Sequence, residues 1–104
     1  MSRDVDERIV AATTRGLERL GKSVSTVTYW KLKQDTGLET SEIPRNAKEF
    51  SSCMSKLFGP GYPIIESSIA MELKQEFRLQ SVHTKDYSEL VVAIKNNALK
   101  HSLR

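Results

Sequence analysis

The stretch LFGPGYPIIE, residues 57–66, decides how the chain is divided, because positions 59–63 hold two glycines and two prolines between segments with helical periodicity. Two readings compete for it. A phosphate-cradling P-loop needs Gly, four residues, Gly, Lys and a hydroxyl residue after a strand, so that backbone amides and an ammonium group surround the phosphate oxygens. GPGYPIIE has no lysine, no hydroxyl residue at the required place and an apolar helical pattern before it. The other reading is punctuation. Gly59 suits a helix end, Pro60 blocks its continuation, and Pro63 fits the first turn of the next helix, where its missing amide costs little. This second reading predicts a helix ending near residue 58 and another over about 63–78. An anion at the exposed amides of the latter would find one donor removed by Pro63.

Outward from that stretch the same periodicity recurs. Upstream, Asn46 and Glu49 have capping-box spacing, and Phe50, Cys53, Met54 and Leu57 share one helical stripe. Downstream, Ile65, Ile69, Leu73 and Phe77 form a second stripe, flanked by Ile64 and Met71. RLQSVHTK is a connection. Asp86 with Glu89 repeats the capping spacing before a last helix, about 86–101, carrying Tyr87, Leu90, Val91, Ile94 and Ala98.

At the other end, Val5, Ile9, Ala12, Thr13, Gly16 and Leu20, widened by Val10 and Leu17, predict a helix over 5–20. It opens on Asp4 with Glu7 and stops at Gly21. SVSTVTYWKLKQDTGL has Val, Thr, Tyr and Trp of strand propensity, but Gly37 suits a left-handed helix cap. Helix over about 24–36 is favoured, with Val24, Val27 and Trp30 on the core face, Tyr29 and Leu32 beside them, and Leu38 folding back on Leu32. Five amphipathic helices joined by short connections predict an all-α fold, a compact bundle forming one domain over 1–104.

Composition narrows the function classes. The N-terminus MSRDVDER is charged where a signal peptide is apolar, and no run of about 18 apolar residues occurs. Neither secretion nor a membrane span is indicated, and the cytoplasm is the expected compartment. Cys53 is the only cysteine, which excludes an intramolecular disulfide and a multi-cysteine metal site. Sixteen basic and thirteen acidic residues give a formal charge of +3. They are interleaved nearly everywhere, as on a solvated helical surface; the longest local excess is Arg15, Arg19, Lys22, Lys31 and Lys33.

Candidate chemistry is sparse. His83 and His101 lack a second ligand at helical metal-binding spacing and read as surface residues. Cys53 lies on an apolar stripe, where an inert buried thiol is the commoner outcome, and no orienting group for a Cys–His pair is readable. Glu72 and Glu76 stand one turn apart, a spacing more typical of a solvated face than of paired-carboxylate catalysis. The segment 23–43 loosely follows helix, Gly-containing turn and second segment, as in helix-turn-helix units. Its second segment, LETSEIPRN, is acidic and broken by Pro44, so the five cations would meet phosphates rather than bases.

Residues 17–77 resemble a family of small archaeal, thaumarchaeal, all-helical signalling output domains. The resemblance is carried by Leu20 and Gly21 at the end of the first helix, the aromatic pair Tyr29 and Trp30, and Gly37 and Leu38 followed by Ile43 and Pro44. Phe50, Phe58, Gly59, Ile65 and Glu66 complete it. Most of these are core or punctuation positions, and the resemblance implies no catalytic residues. Cys53 and the pair Ser51 and Ser52 depart from the family's third helix, and the last helix lies outside the pattern.

The resulting expectation is a non-enzymatic protein-interaction module, of signalling output or regulatory type, without metal or cofactor. It would bind a protein partner or itself as a homodimer. Tyr62, Tyr87 and Val92 are the candidate contact residues, because their helical neighbours already supply a core stripe. The alternative is a small basic nucleic-acid-binding protein acting through Arg15, Arg19, Lys22, Lys31 and Lys33.

Overall fold

The computed structural model describes the backbone of residues 2–79 and 81–102 and the side chains of residues 4–79 and 81–97. Five α-helices follow in order: α1, Ser2–Glu18; α2, Lys22–Thr36; α3, Ala47–Phe58; α4, Tyr62–Phe77; and α5, Tyr87–Ser102. Two 3-10 turns, Thr40–Arg45 and Gly59–Gly61, join α2 to α3 and α3 to α4, and no strand occurs among the described residues. The fold is therefore the all-α bundle that the periodicity predicts. Its Cα radius of gyration, 13.1 Å, is that of a folded domain of about 100 residues.

Most helix ends follow local chemistry. Gly59 closes α3 at φ 55°, donating its N–H to the Ser55 carbonyl, and Pro63 sits in the first turn of α4. Residues 57–66 are thus a helix stop followed by a helix start. Gly37 closes α2 at φ 77°. Asp86 caps α5 by accepting the Glu89 amide at 3.0 Å, and that bond lowers its pKa.

Three ends differ from the expectation. α1 closes at Glu18, short of Gly21, which stands ahead of α2 at φ 144°, and Leu20 is exposed instead of lying on the core stripe. α1 begins at Ser2, so Asp4 lies inside its first turn and acts on the helix dipole rather than as the cap. Asn46 makes no side-chain cap to α3; its Nδ2 donates to the Glu42 carbonyl, and the reciprocal capping box joins Glu39 and Glu42 instead.

α1 and α4 run antiparallel through the centre, since Arg8 meets Glu76 while Gly16 meets Ile69. A Cβ on Gly16 would lie 2.6 Å from the Ile69 Cα, so the close approach of the two helices depends on glycine. Ser68 Oγ donates to the Gly16 carbonyl at 2.7 Å on the same seam. α2 packs on α1 and α3, and α5 packs on α1, α3 and α4. Phe50, Met54, Ile69, Leu73, Leu90 and Ile94 fill the centre. The expected stripes of α3, α4 and α5 are thereby observed over the described side chains; Ala98 lies outside them.

Hydroxyl pairs tie the helices laterally. Thr13 and Thr14 each donate to the carbonyl four residues back and stand 2.8 and 2.7 Å from the hydroxyls of Tyr87 and Tyr29. With the threonine proton already used, each tyrosine donates to its threonine. Adjacent α1 residues therefore hold two different helices. Glu66 accepts from the Tyr62 hydroxyl and from the Tyr87 amide, linking α4 to the start of α5.

On one side of the α1–α4 seam, carboxylates and guanidinium groups alternate. Arg8 and Arg15 pair with Glu76, and Arg15 and Arg19 pair with Glu72, at 2.7–3.0 Å. Hydrogen bonding to Arg19 leads the causes that hold Glu72 below the ordinary carboxylate pKa, and Arg8 does the same for Glu76. A folded-state pKa below the unfolded one means stability that is present above the unfolded value and lost as pH falls through the folded one. Acidification below the ordinary glutamate value of 4.5 therefore weakens the seam. The arginines are nearly half exposed, so solvent screening limits the Glu72 contribution to about 1 kcal/mol. In urea titrations, wild type should lose more stability between neutral and acidic pH than Glu72→Gln, which already lacks the charge.

α2 is the element that departs most from its pattern. Ser25, Thr28 and Leu32 face the core, with Val24 and Tyr29 half-buried, whereas Val27 and Trp30 are exposed. Ser25 is satisfied by Glu18, but Thr28 Oγ1 is buried with no hydrogen-bond partner among the described residues. The expected core face of this helix is thus corrected by a rotation that turns its largest apolar side chain outward. Tyr29 explains the rotation: its hydroxyl reaches Thr14 only when the helix presents the Ser25, Thr28 and Leu32 face to α1 and α3.

Candidate interaction surface

Two of the three predicted contact residues are internal. Tyr62 is 7% and Tyr87 1% exposed. Tyr87 stacks obliquely on Phe50, with ring centroids 4.9 Å apart, and Tyr62 bonds Ser51 and Glu66. Burial is the leading cause that raises the pKa of both phenols, so both stay protonated hydrogen-bond donors. The reason for the correction is amphipathicity: each ring has an apolar body that fills the core and a hydroxyl with a partner waiting there. Val92 alone is exposed, on the outer side of α5.

The five cations do not form one footprint. Arg15 and Arg19 belong to the α1–α4 ladder. Lys31 pairs with Asp35 at 3.4 Å and Lys33 pairs with Glu39. Lys22 has no ion-pair partner among the described residues. Four of the five are therefore already neutralised locally.

The histidines, cysteine and carboxylates are also dispersed. His83 is exposed, and the His101 side chain lies outside the described residues. Cys53 is buried, and burial raises its thiol pKa, which disfavours the nucleophilic thiolate. No group of three His, Cys, Asp or Glu side chains is placed to hold a metal ion among the described residues. No described helix is long and apolar enough to cross a membrane. A shallow cleft of about 680 Å³ lies between α1 and the Thr40–Arg45 turn, lined by Asp6, Glu7, Val10, Ala11, Thr40, Ser41, Glu42 and Arg45. Its groups are engaged in structure: Arg45 lies 3.7 Å from Asp6, and Glu42 accepts the Glu39 amide.

What the structure brings to the surface is apolar. Trp30 is 61% exposed and Val27 53%, one turn apart on α2; Ile64 and Met71 lie two turns apart on the outer side of α4. At about 100° per residue, Trp30 stands nearly opposite the centre of Ser25, Thr28 and Leu32. Ser23, Thr26 and Gln34 surround it, all exposed. Periodicity alone missed this face because Val24, Val27 and Trp30 recur at the three-residue step of an apolar core stripe. The available signal was a second stripe at helical spacing, Ser25, Thr28 and Leu32, next to a tyrosine. Compared with family models, curated proteins and solved structures, the chain matches none.

Proposed function

We propose that the chain is a cytoplasmic, non-enzymatic protein-interaction module of regulatory or signalling output type, and that α2 presents its contact face to a protein partner or a second copy. The observation that carries this reading is the rotation of α2. The helix turns a serine and an unpartnered threonine inward and a tryptophan and a valine outward. A helix that buries an unpartnered hydroxyl while exposing its largest apolar side chain departs from the burial rule in both senses, and departures of that kind are expected where a surface has a function. Tryptophan is also among the residue types most enriched in binding hot spots. The resemblance of residues 17–77 to signalling output domains supports the regulatory part of the reading.

The test compares wild type with Val27→Asp, which keeps Trp30 and lies on the solvent side. Sedimentation gives the mass and affinity capture from source-cell extract gives the partners, with circular dichroism checking the fold. A partner or dimer formed by wild type and weakened at least about tenfold, or 1.4 kcal/mol, in Val27→Asp is the expected result. A strictly monomeric wild type that captures nothing, or a variant that captures the same proteins, overturns the reading.

A further inference from the structure

We infer that the occupant of the α2 face is an acidic amphipathic helix, and not a second copy of this chain; the inference rests on α2 being the contact face. Ser23, Val27, Trp30 and Gln34 follow the four-three-four spacing of a helix–helix seam. Its centre is apolar and its ends are neutral and polar. A partner helix can cover Val27 and Trp30 together, whereas a stacked nucleobase covers Trp30 and leaves Val27 in water.

The flanks choose the charge of the partner. By helical position, Lys33 borders the seam on one side and Lys31 on the other, with Lys22 further round on the Lys33 side. The carboxylates that answer them locally are set back: Asp35 is further round the helix than Lys31, and Glu39 lies beyond the Gly37 cap. Both are well exposed, at 45% and 62% of the side chain. Such pairs contribute little, so each lysine can exchange its carboxylate for one on a partner at small cost. Lys22 has none to give up.

A second copy meets the opposite situation. In an antiparallel pair about the midpoint of Val27 and Trp30, each flank faces its own equivalent, and Lys33 of one copy stands beside Lys22 of the other. In a parallel pair the two flanks face each other, and Lys33 stands beside Lys31. Both arrangements set lysine against lysine along the seam, and like charges at such positions destabilise the pair. Carboxylates along the partner's flanks remove that repulsion.

Trp30 is the only tryptophan, so its emission reports this face directly. Three probes are titrated: a synthetic helix of about 20 residues with leucine at seam positions and glutamate elsewhere, the same peptide with lysine for glutamate, and a single-stranded oligodeoxythymidine. The expected result is a saturable blue shift with the acidic peptide alone. Its affinity should fall about tenfold, or 1.4 kcal/mol, in Lys22→Glu/Lys33→Glu, and by a smaller factor in Lys22→Gln/Lys33→Gln, which creates no repulsion with Glu39. Raised salt should weaken it further. Equal binding of the basic peptide overturns the charge inference and leaves α2 as a contact face. No shift with either peptide overturns both, and a shift with the oligonucleotide alone replaces the protein partner by nucleic acid.

Discussion

Gly16→Ala should lower the stability of the fold by about 2 kcal/mol, against the direction that helix propensity gives. In an isolated helix, alanine is better than glycine by about 1 kcal/mol. Here the added methyl group would sit 2.6 Å from the Ile69 Cα and 2.9 Å from its nitrogen. Those are backbone atoms of the facing helix, so no rotamer change relieves the contact and α1 must move away from α4. Overpacking of this kind costs about 3 kcal/mol, which exceeds the propensity gain. The Ser68 bond to the Gly16 carbonyl and the arginine pairs lie on the same seam and are stretched by the same movement. For a domain of this size, a 2 kcal/mol loss lowers Tm by about 10 °C, and a thermal melt followed by circular dichroism reads it. An unchanged or higher Tm would show that the two helices separate at no cost.

Tyr87→Ala should cost more, about 4 kcal/mol, the range of a buried aromatic truncated to alanine. The ring is 1% exposed and packs on Phe50, and its removal leaves a cavity where α1, α3 and α5 meet. Tyr87→Phe separates the ring from its hydroxyl. Thr13 Oγ1 retains its bond to the Ile9 carbonyl, so the loss is that of one buried hydrogen bond, about 1 kcal/mol. Denaturant midpoints of the two variants give both values. Similar losses for Phe and Ala would transfer the stabilisation from packing to the hydroxyl. Against a total stability of about 5–15 kcal/mol, the alanine variant gives up between about a quarter and four-fifths of it.

The two cases mark what was legible in the sequence. The α3 stripe is unambiguous because that helix has one apolar face; α4 and α5 also carry Ile64, Met71 and Val92 on their outer sides, but their longer stripes outweigh these. The punctuation at 57–66 follows from the chemistry of proline and glycine alone. α2 has two candidate faces, and choosing between them requires knowing that Tyr29 meets Thr14, fifteen positions earlier. The same limit applies to Tyr62 and Tyr87. Their burial depends on partners 11 and 74 positions away, which no local spacing announces. The cations were legible as a cluster in the chain but not as a ladder, because their carboxylates lie on α4, more than fifty positions from Arg15 and Arg19.

That long separation also orders events when the protein is made. α1 leaves the ribosome before the helix it lies against, which ends at Phe77. At a synthesis rate of about 5–20 residues per second, the nascent α1 waits on the order of several seconds for α4. Through that interval Ile9, Ala12 and Leu17 face water or a chaperone. Docking of α4 is the step that withdraws the amino-terminal helix from both.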